Sequence, residues 1–214
     1  MTGAAITLFV GFLLLVVAAV KPLGLYMANV FEGRPIWPVR AGAALERAIY
    51  RVCGVEPARE MGWREYAVGL LLFNALGAVA VYLLQRCQLW LPLNPQRFAN
   101  LGPDSAFNTA VSFVTNTNWQ GYSGESAMSY LTQMAGLAVQ NFLSAASGIV
   151  VAIVLIRGLA RHSVTTIGNL WADLTRATLY VLLPFRVIGI TVAGVLALLT
   201  ALILLPARVL GGHR

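Results

Sequence analysis

PDSAFNTAVSFVTNTNWQGYSGE, Pro103 to Glu125, lies between two long apolar runs, and its reading decides the fold. Pro103-Asp104-Ser105 reads as a helix start, with Asp104 or Ser105 as the expected cap. The mostly apolar Ala106–Thr115 follows. At 1.5 Å per residue it reaches only about 15 Å, half the hydrocarbon thickness of a bilayer. Thr115–Glu125 is polar and carries Gly121 and Gly124. Irregular backbone at membrane depth is tolerated only when buried in protein or lining water. The stretch is therefore a candidate re-entrant segment, a half-helix followed by an extended polar loop. An ordinary extracellular hairpin, with Ala106–Val114 lying on the surface as an interfacial helix, competes with it on the residues alone.

Four apolar runs surround this segment: Ala4–Val20, Tyr66–Leu91, Ala127–Ile156 and Ala177–Leu205. Each is near or above the roughly 17–25 residues a helix needs to cross a bilayer. Apolar residues make up 58% of the chain and charged residues 11%, against about a quarter charged in soluble domains. The first run has no charge before Lys21 and continues through Lys21-Pro22, unlike a cleaved secretory signal. The net charge of +7 is carried by Arg residues that flank the runs, a topology signal rather than a nucleic-acid patch. Arg34, Arg40, Arg47, Arg51, Arg59 and Arg64 crowd the segment after the first run, and Arg157, Arg161 and Arg176 flank the one after the third. Both segments are expected in the cytoplasm and the N-terminus outside, with Arg208 and Arg214 a mild violation. Cys53 and Cys87 fall on opposite sides, so no disulfide is expected, and no spacing suits a transition metal.

The expected fold is an all-α integral membrane protein. Residues 1–31 form an N-terminal transmembrane helix and residues 32–65 a cytoplasmic Arg-rich loop. Residues 66–156 form one complete repeat: span 66–91, pore helix 104–114, filter loop 115–125 and span 127–156. A cytoplasmic loop at 157–176, a transmembrane helix at 177–205 that opens a second repeat, and a tail at 206–214 complete the chain.

Full helix, half-helix, polar loop and full helix is the order of one repeat of a potassium channel. Such a filter replaces the ion's hydration shell with backbone carbonyls from several extended loops. Thr115, Asn116, Thr117 and Asn118 suit that task, because small polar side chains can turn from the axis and bond to neighbours. The half-helix points its negative end at the same place. Trp119 and Gln120 are expected to pack or bond beside the filter, and Gly121 to let the chain turn outward. Glu125 reads either as a cation lure or as a first-turn carboxylate on the next helix. Gln133, Gln140, Ser144 and Ser147 share one helix face. That face is a candidate vestibule lining, with interhelical hydrogen bonding as the plainer reading. Arg186 is expected to snorkel at the cytoplasmic edge of the fourth span. His162 and His213 lack partners, and no glycine-rich phosphate loop is present, so the chain is not expected to be an enzyme by itself.

SFVTNTNWQGYSGE (Ser112–Glu125), QMAGLAVQNFLSAASG (Gln133–Gly148), LPLNPQ (Leu91–Gln96), KPLG (Lys21–Gly24) and REMGWREY (Arg59–Tyr66) resemble the potassium-binding subunit of the Kdp-type potassium-transporting ATPase. The similarity runs from about Met1 to about Leu183. The resemblance implies a potassium ion as the transported ligand, no ATP site in this chain, and a potassium filter at Thr115, Asn116, Thr117 and Asn118 with Gln120 beside it. It further implies a separate P-type ATPase catalytic subunit (KdpB), a periplasm-facing subunit (KdpC), a small single-span subunit (KdpF), and a bacterial or archaeal plasma (inner) membrane. The family has four such repeats in one longer chain, whereas this sequence holds one, so a truncated or fragmentary form is expected. A stand-alone homotetrameric channel-like pore and a scaffold whose loop binds no ion are the competing readings.

Overall fold

The computed structural model describes residues 3–119, 121–160 and 165–187. Among these, three helices are long and apolar enough to cross a membrane: Gly3–Phe31, Trp63–Trp90 and Thr132–Ala160. The protein is mostly helical and membrane-embedded. Helix α1 (Gly3–Phe31) passes through Pro22 without ending. Helix α3 (Trp63–Cys87) ends in a tight turn at Gln88–Trp90. Helix α4 is the half-length Pro103–Val114, and α5 is the short Gly124–Ala127. The third long helix begins with π-helical turns at Thr132–Ala138 and continues as α6 (Val139–Ala160). Helix α7 (Leu170–Arg176) runs on through π-helical turns at Ala177–Leu182.

The boundaries differ from the sequence reading in instructive ways. The Arg-rich segment expected as a loop contains a helix, α2 (Trp37–Cys53), closed by Gly54 in the left-handed conformation at φ 64°. Its buried positions Val39, Glu46 and Tyr50 are spaced seven and four apart, a single helical face. The many arginines hid that face from a search for long apolar runs. The expected cap at Asp104 or Ser105 is not used. Pro103 already occupies the first turn, Gly102 is the N-cap, and no side chain caps the helix. The third span starts beyond Ala127, because Met128 and Ser129 break the helix between α5 and the π-helical turns, and it extends to Ala160.

The fourth helix starts at Leu170 instead of Ala177, drawn back by Asn169, whose side chain accepts from the N–H groups of Trp171 and Ala172. Arg186 lies sixteen residues past the start of this helix, next to the end of the described stretch. Its guanidinium lies over the Phe142 ring at 5.9 Å. His162, His213, Arg208, Arg214, the rest of the fourth run and the tail at 206–214 lie outside the described residues. Cys53 and Cys87 are both free.

Two packed clusters hold these helices. At the loop end, Val81, Leu101, Ala106, Ala110, Phe113, Met128 and Leu137 bury α4 against α3 and the start of the third helix. At the basic end, Val30, Phe31, Tyr66, Val150, Leu170 and Tyr180 join α1, α3, α6 and α7. Strand β1 (Met61–Gly62) pairs antiparallel with β2 (Thr166–Gly168), tying the two Arg-rich segments together.

The basic end also carries a buried ionic network. Arg157 donates to both Asp173 oxygens at 2.5 and 3.0 Å, and the Tyr66 hydroxyl donates to Asp173 at 3.0 Å. Arg176 donates to Glu46 at 3.0 Å, where the Tyr50 and Tyr180 hydroxyls each donate at 2.7 Å. Both guanidiniums reach back to the Phe31 carbonyl, Arg157 at 3.3 Å and Arg176 at 3.2 Å. Two cations therefore meet the negative C-terminal end of α1, where the helix dipole favours them. Gly168, at φ 115°, is required here: a Cβ on it would sit 2.3 Å from the Arg157 guanidinium.

Burial pushes the Glu46 carboxyl up, but the hydroxyls of Tyr180 and Tyr50 and the Arg176 guanidinium outweigh it. Its pKa ends below the ordinary 4.5. A carboxyl held low when folded stabilises the fold above its unfolded pKa, and that stability is lost as pH falls through the folded value. Thermal unfolding of the detergent-solubilised chain should therefore show an acid-sensitive component below pH 4.5. Glu46→Gln should flatten that component, and an unchanged acid profile in the variant would sink the assignment.

Candidate functional site

The site is built on the end of α4. Thr115 N–H donates to the Val111 carbonyl at 2.9 Å and Asn116 N–H to the Phe113 carbonyl at 3.4 Å. Thr117 and Asn118 N–H groups both donate to the Ser112 carbonyl, at 3.0 and 3.3 Å. Four consecutive backbone donors are thus turned back onto the last carbonyls of the helix. Asn116 and Asn118 make this possible by adopting left-handed φ values of 57° and 55°. Asparagine tolerates that region better than most side chains. With Asn116 and Asn118 left-handed, the chain folds back so that successive N–H groups face the end of α4. Among the described residues, no hydrogen bond is donated to the carbonyl oxygens of Thr115, Asn116, Thr117 or Asn118.

The side chains alternate in the same way. Thr115 Oγ1 donates to the Val111 carbonyl at 2.9 Å and lies 3.1 Å from Thr117 Oγ1, which donates to the Ser112 carbonyl at 3.2 Å. Asn118 Nδ2 donates to Asn116 Oδ1 at 3.1 Å, and Ser144 Oγ on α6 reaches the same oxygen at 3.5 Å. Ser112 Oγ donates to the Trp119 carbonyl at 2.9 Å and closes the turn.

The other sequence candidates fall as follows. Trp119 is 57% exposed, and its backbone carbonyl is held by Ser112 Oγ. Gln120 lies outside the described residues. The chain bends at Gly121, which stands in open space and is not among the left-handed glycines. Glu125 is fully exposed and accepts from Ser123 Oγ at 2.6 Å, which holds its pKa below the ordinary value. Gln133 donates to the carbonyls of Gly124 at 3.2 Å and Met128 at 2.9 Å, bracing the loop's exit. Gln140 is buried against Gly77 of α3, where a Cβ would approach Gln140 Oε1 to 2.6 Å. Of the candidate vestibule face, Ser144 touches the loop at Asn116 and Gln133 touches it at Gly124.

Two residues that position the site were missed. Gln88 is fully buried, and its amide donates to the carbonyls of Ala99 at 2.6 Å and Ala127 at 2.8 Å. Its oxygen accepts from Ser129 N–H at 3.1 Å and Thr132 Oγ1 at 3.3 Å. One side chain thereby fixes α3, the entry to α4 and the exit from the loop. Asn94 accepts from Phe98 N–H at 2.9 Å and donates to the Gln88 carbonyl at 3.1 Å, holding a turn that includes left-handed Leu93 and Arg97. The available signal was Gln85 and Gln88 inside an apolar span, since polar side chains at such positions are costly without partners.

These features define a helical membrane protein with a polar loop folded back onto the C-terminal end of a half-length helix. A family model for the potassium-transporting ATPase A subunit (KdpA) matches residues 10–203. The chain belongs to that family. A potassium-transporting ATPase potassium-binding subunit of Ralstonia pickettii is 63% identical over 177 residues, covering 83% of this chain and 30% of the relative. A protein of the same name from Dechloromonas aromatica is 63% identical over 177 residues, covering 83% of this chain and 29% of the relative. One from Herminiimonas arsenicoxydans is 56% identical over 188 residues, covering 88% and 31%. The chain thus spans about 30% of the length of the curated relatives it matches.

Proposed function

We propose that the chain supplies one wall of a potassium-selectivity filter within an ATP-driven potassium import pump. The carbonyl oxygens of Thr115, Asn116, Thr117 and Asn118 would replace part of the ion's hydration shell, and α4, acting as a pore helix, would direct its negative end at the ion. The observation that carries this reading is the return of four successive N–H groups to α4, with the matching carbonyls unpaired among the described residues. Ser112, Ser144 and Gln88 hold the loop in that geometry.

ATP hydrolysis belongs in this proposal to a separate P-type catalytic subunit, with a periplasm-facing subunit and a small single-span subunit in the same complex. The relatives carry the word ATPase in their names together with the role of binding potassium. The complex would sit in a bacterial or archaeal plasma membrane, the N-terminus outside and the Arg-rich segments in the cytoplasm, following the positive-inside rule. One loop forms one side of a fourfold filter, so three further loops of the same kind would complete it. No observation favours a homotetrameric channel.

The test is a chimera in which residues 1–183 replace the matching part of the full-length Ralstonia pickettii relative, co-expressed with its partner subunits. Potassium uptake should persist. Replacing Thr115–Asn118 with alternating Gly and Ser should raise the half-saturating potassium concentration at least tenfold. An assembled chimera whose potassium dependence ignores that replacement would overturn the reading.

A further inference from the structure

A cleft at the basic end changes character with depth. Its mouth, about 400 Å³, is lined by Glu56, Arg59, Glu65 and Asn169. It shares Cys53, Val55 and Trp171 with a deeper groove of about 310 Å³, lined by Ile49, Phe73, Leu143, Leu174 and Leu179. The groove therefore runs between α2, α3, α6 and α7 from a charged opening into an apolar interior. Phe73 lies ten residues into α3 and Leu179 nine residues past the start of α7. Phe73, packed on Trp171, lies near the mouth, and Leu179 sits roughly 14 Å along the helix from the start of α7, about half of a 30 Å hydrocarbon core. That is the depth of one leaflet. The Trp171 side chain, 38% exposed and edge-on to Phe73 at 6.2 Å between ring centroids, marks the boundary where amphipathic rings concentrate.

We infer that this cleft seats a single zwitterionic phospholipid, its acyl chain in the groove and its headgroup in the mouth. The lining charges choose the headgroup. Arg59 is held at 2.6 Å from Glu65, and the exposed Glu56 side chain forms no ion pair among the described residues. One cation and two carboxylates leave the mouth net negative. A phosphate can join Arg59 while an ammonium group meets Glu56, so an aminophospholipid matches both signs. A headgroup with a phosphate and no amine would meet the surplus carboxylate uncompensated. This seat is independent of the ion-binding loop, which lies at the opposite end of α3.

The experiment is native mass spectrometry of the 214-residue chain, titrated in mild detergent with phosphatidylethanolamine or phosphatidylglycerol. The wild-type chain should retain one phosphatidylethanolamine at least fivefold more strongly than phosphatidylglycerol. Glu56→Lys, an exposed loop change, should reverse that preference. Thr178→Trp, which fills the groove, should abolish retention of either lipid. Equal retention of both lipids, or retention that ignores Glu56→Lys, would mean annular lipid only and would overturn the seat. Cross-linking from Cys53 in membranes to a polypeptide rather than to lipid would overturn it as well, by showing that protein fills the groove. Should Thr178→Trp fail to fold, the Glu56→Lys preference decides alone.

Discussion

Asn116→Ala in the chimeric pump is expected to raise the half-saturating potassium concentration on the order of 30- to 150-fold, through about 2–3 kcal/mol. Two effects add. Asn116 holds φ 57°, and a left-handed residue other than glycine or asparagine costs about 1–2 kcal/mol. Alanine also removes the oxygen that accepts from Asn118 Nδ2 and faces Ser144 Oγ, a further loss of about 1 kcal/mol. Asn116→Gly separates them. Glycine keeps the left-handed backbone at no steric cost, so the carbonyl row survives and only the side-chain bridge is lost. Its potassium dependence should fall between parent and alanine variant, with a rise of about tenfold or less. Uptake measured across external potassium concentrations checks both. Identical curves for the parent and Asn116→Ala would show that the strained loop does not face the ion.

The second large effect belongs to the opposite end of the molecule. Asp173→Ala should destabilise the chain by about 3–5 kcal/mol, because it strips a partly buried Arg157 of its carboxylate partner. The Asp173 side chain is 2% exposed and that of Arg157 is 16% exposed. Arg157 also donates to the carbonyls of Ile167 and Phe31, and Tyr66 would lose its acceptor. In detergent the thermal midpoint should drop on the order of 10 °C. The double variant Arg157→Met with Asp173→Leu should recover most of that drop, since replacing a buried pair by apolar side chains is often neutral. A double variant as unstable as the single one would show that the guanidinium's grip on α1 outweighs its pairing with Asp173. A single variant as stable as the parent would remove the ionic network from the account of how α1, α3, α6 and α7 join.

The membrane character was legible because it rests on length and charge density, which are local. Ala4–Val20 and Tyr66–Leu91 could be read as helices without knowing a single contact; α3 follows the second closely, and α1 contains the first and runs on to Phe31. The half-length α4 was legible for the same reason, since an apolar stretch of that size cannot cross a bilayer. Helix α2 was not, because its apolar face is narrow and interrupted by Arg40, Arg47 and Arg51. The start of α7 was hidden because Asn169, an ordinary loop residue by composition, acts as a cap only once the Glu56 and Arg59 carbonyls hold its amide at 3.0 and 2.9 Å.

At the loop, the sequence by itself determined which residues stand there and that small polar side chains suit them. Tertiary structure alone decided their directions: the left-handed turns at Asn116 and Asn118, the return of the N–H groups to α4, and the Gln88 brace. The physical reason is separation along the chain. Glu46 and Arg176 are 130 residues apart and Gln88 and Ser129 are 41 apart. A polar group's partner at that distance leaves no trace in local pattern, whereas the need to bury an apolar run is written in the run itself.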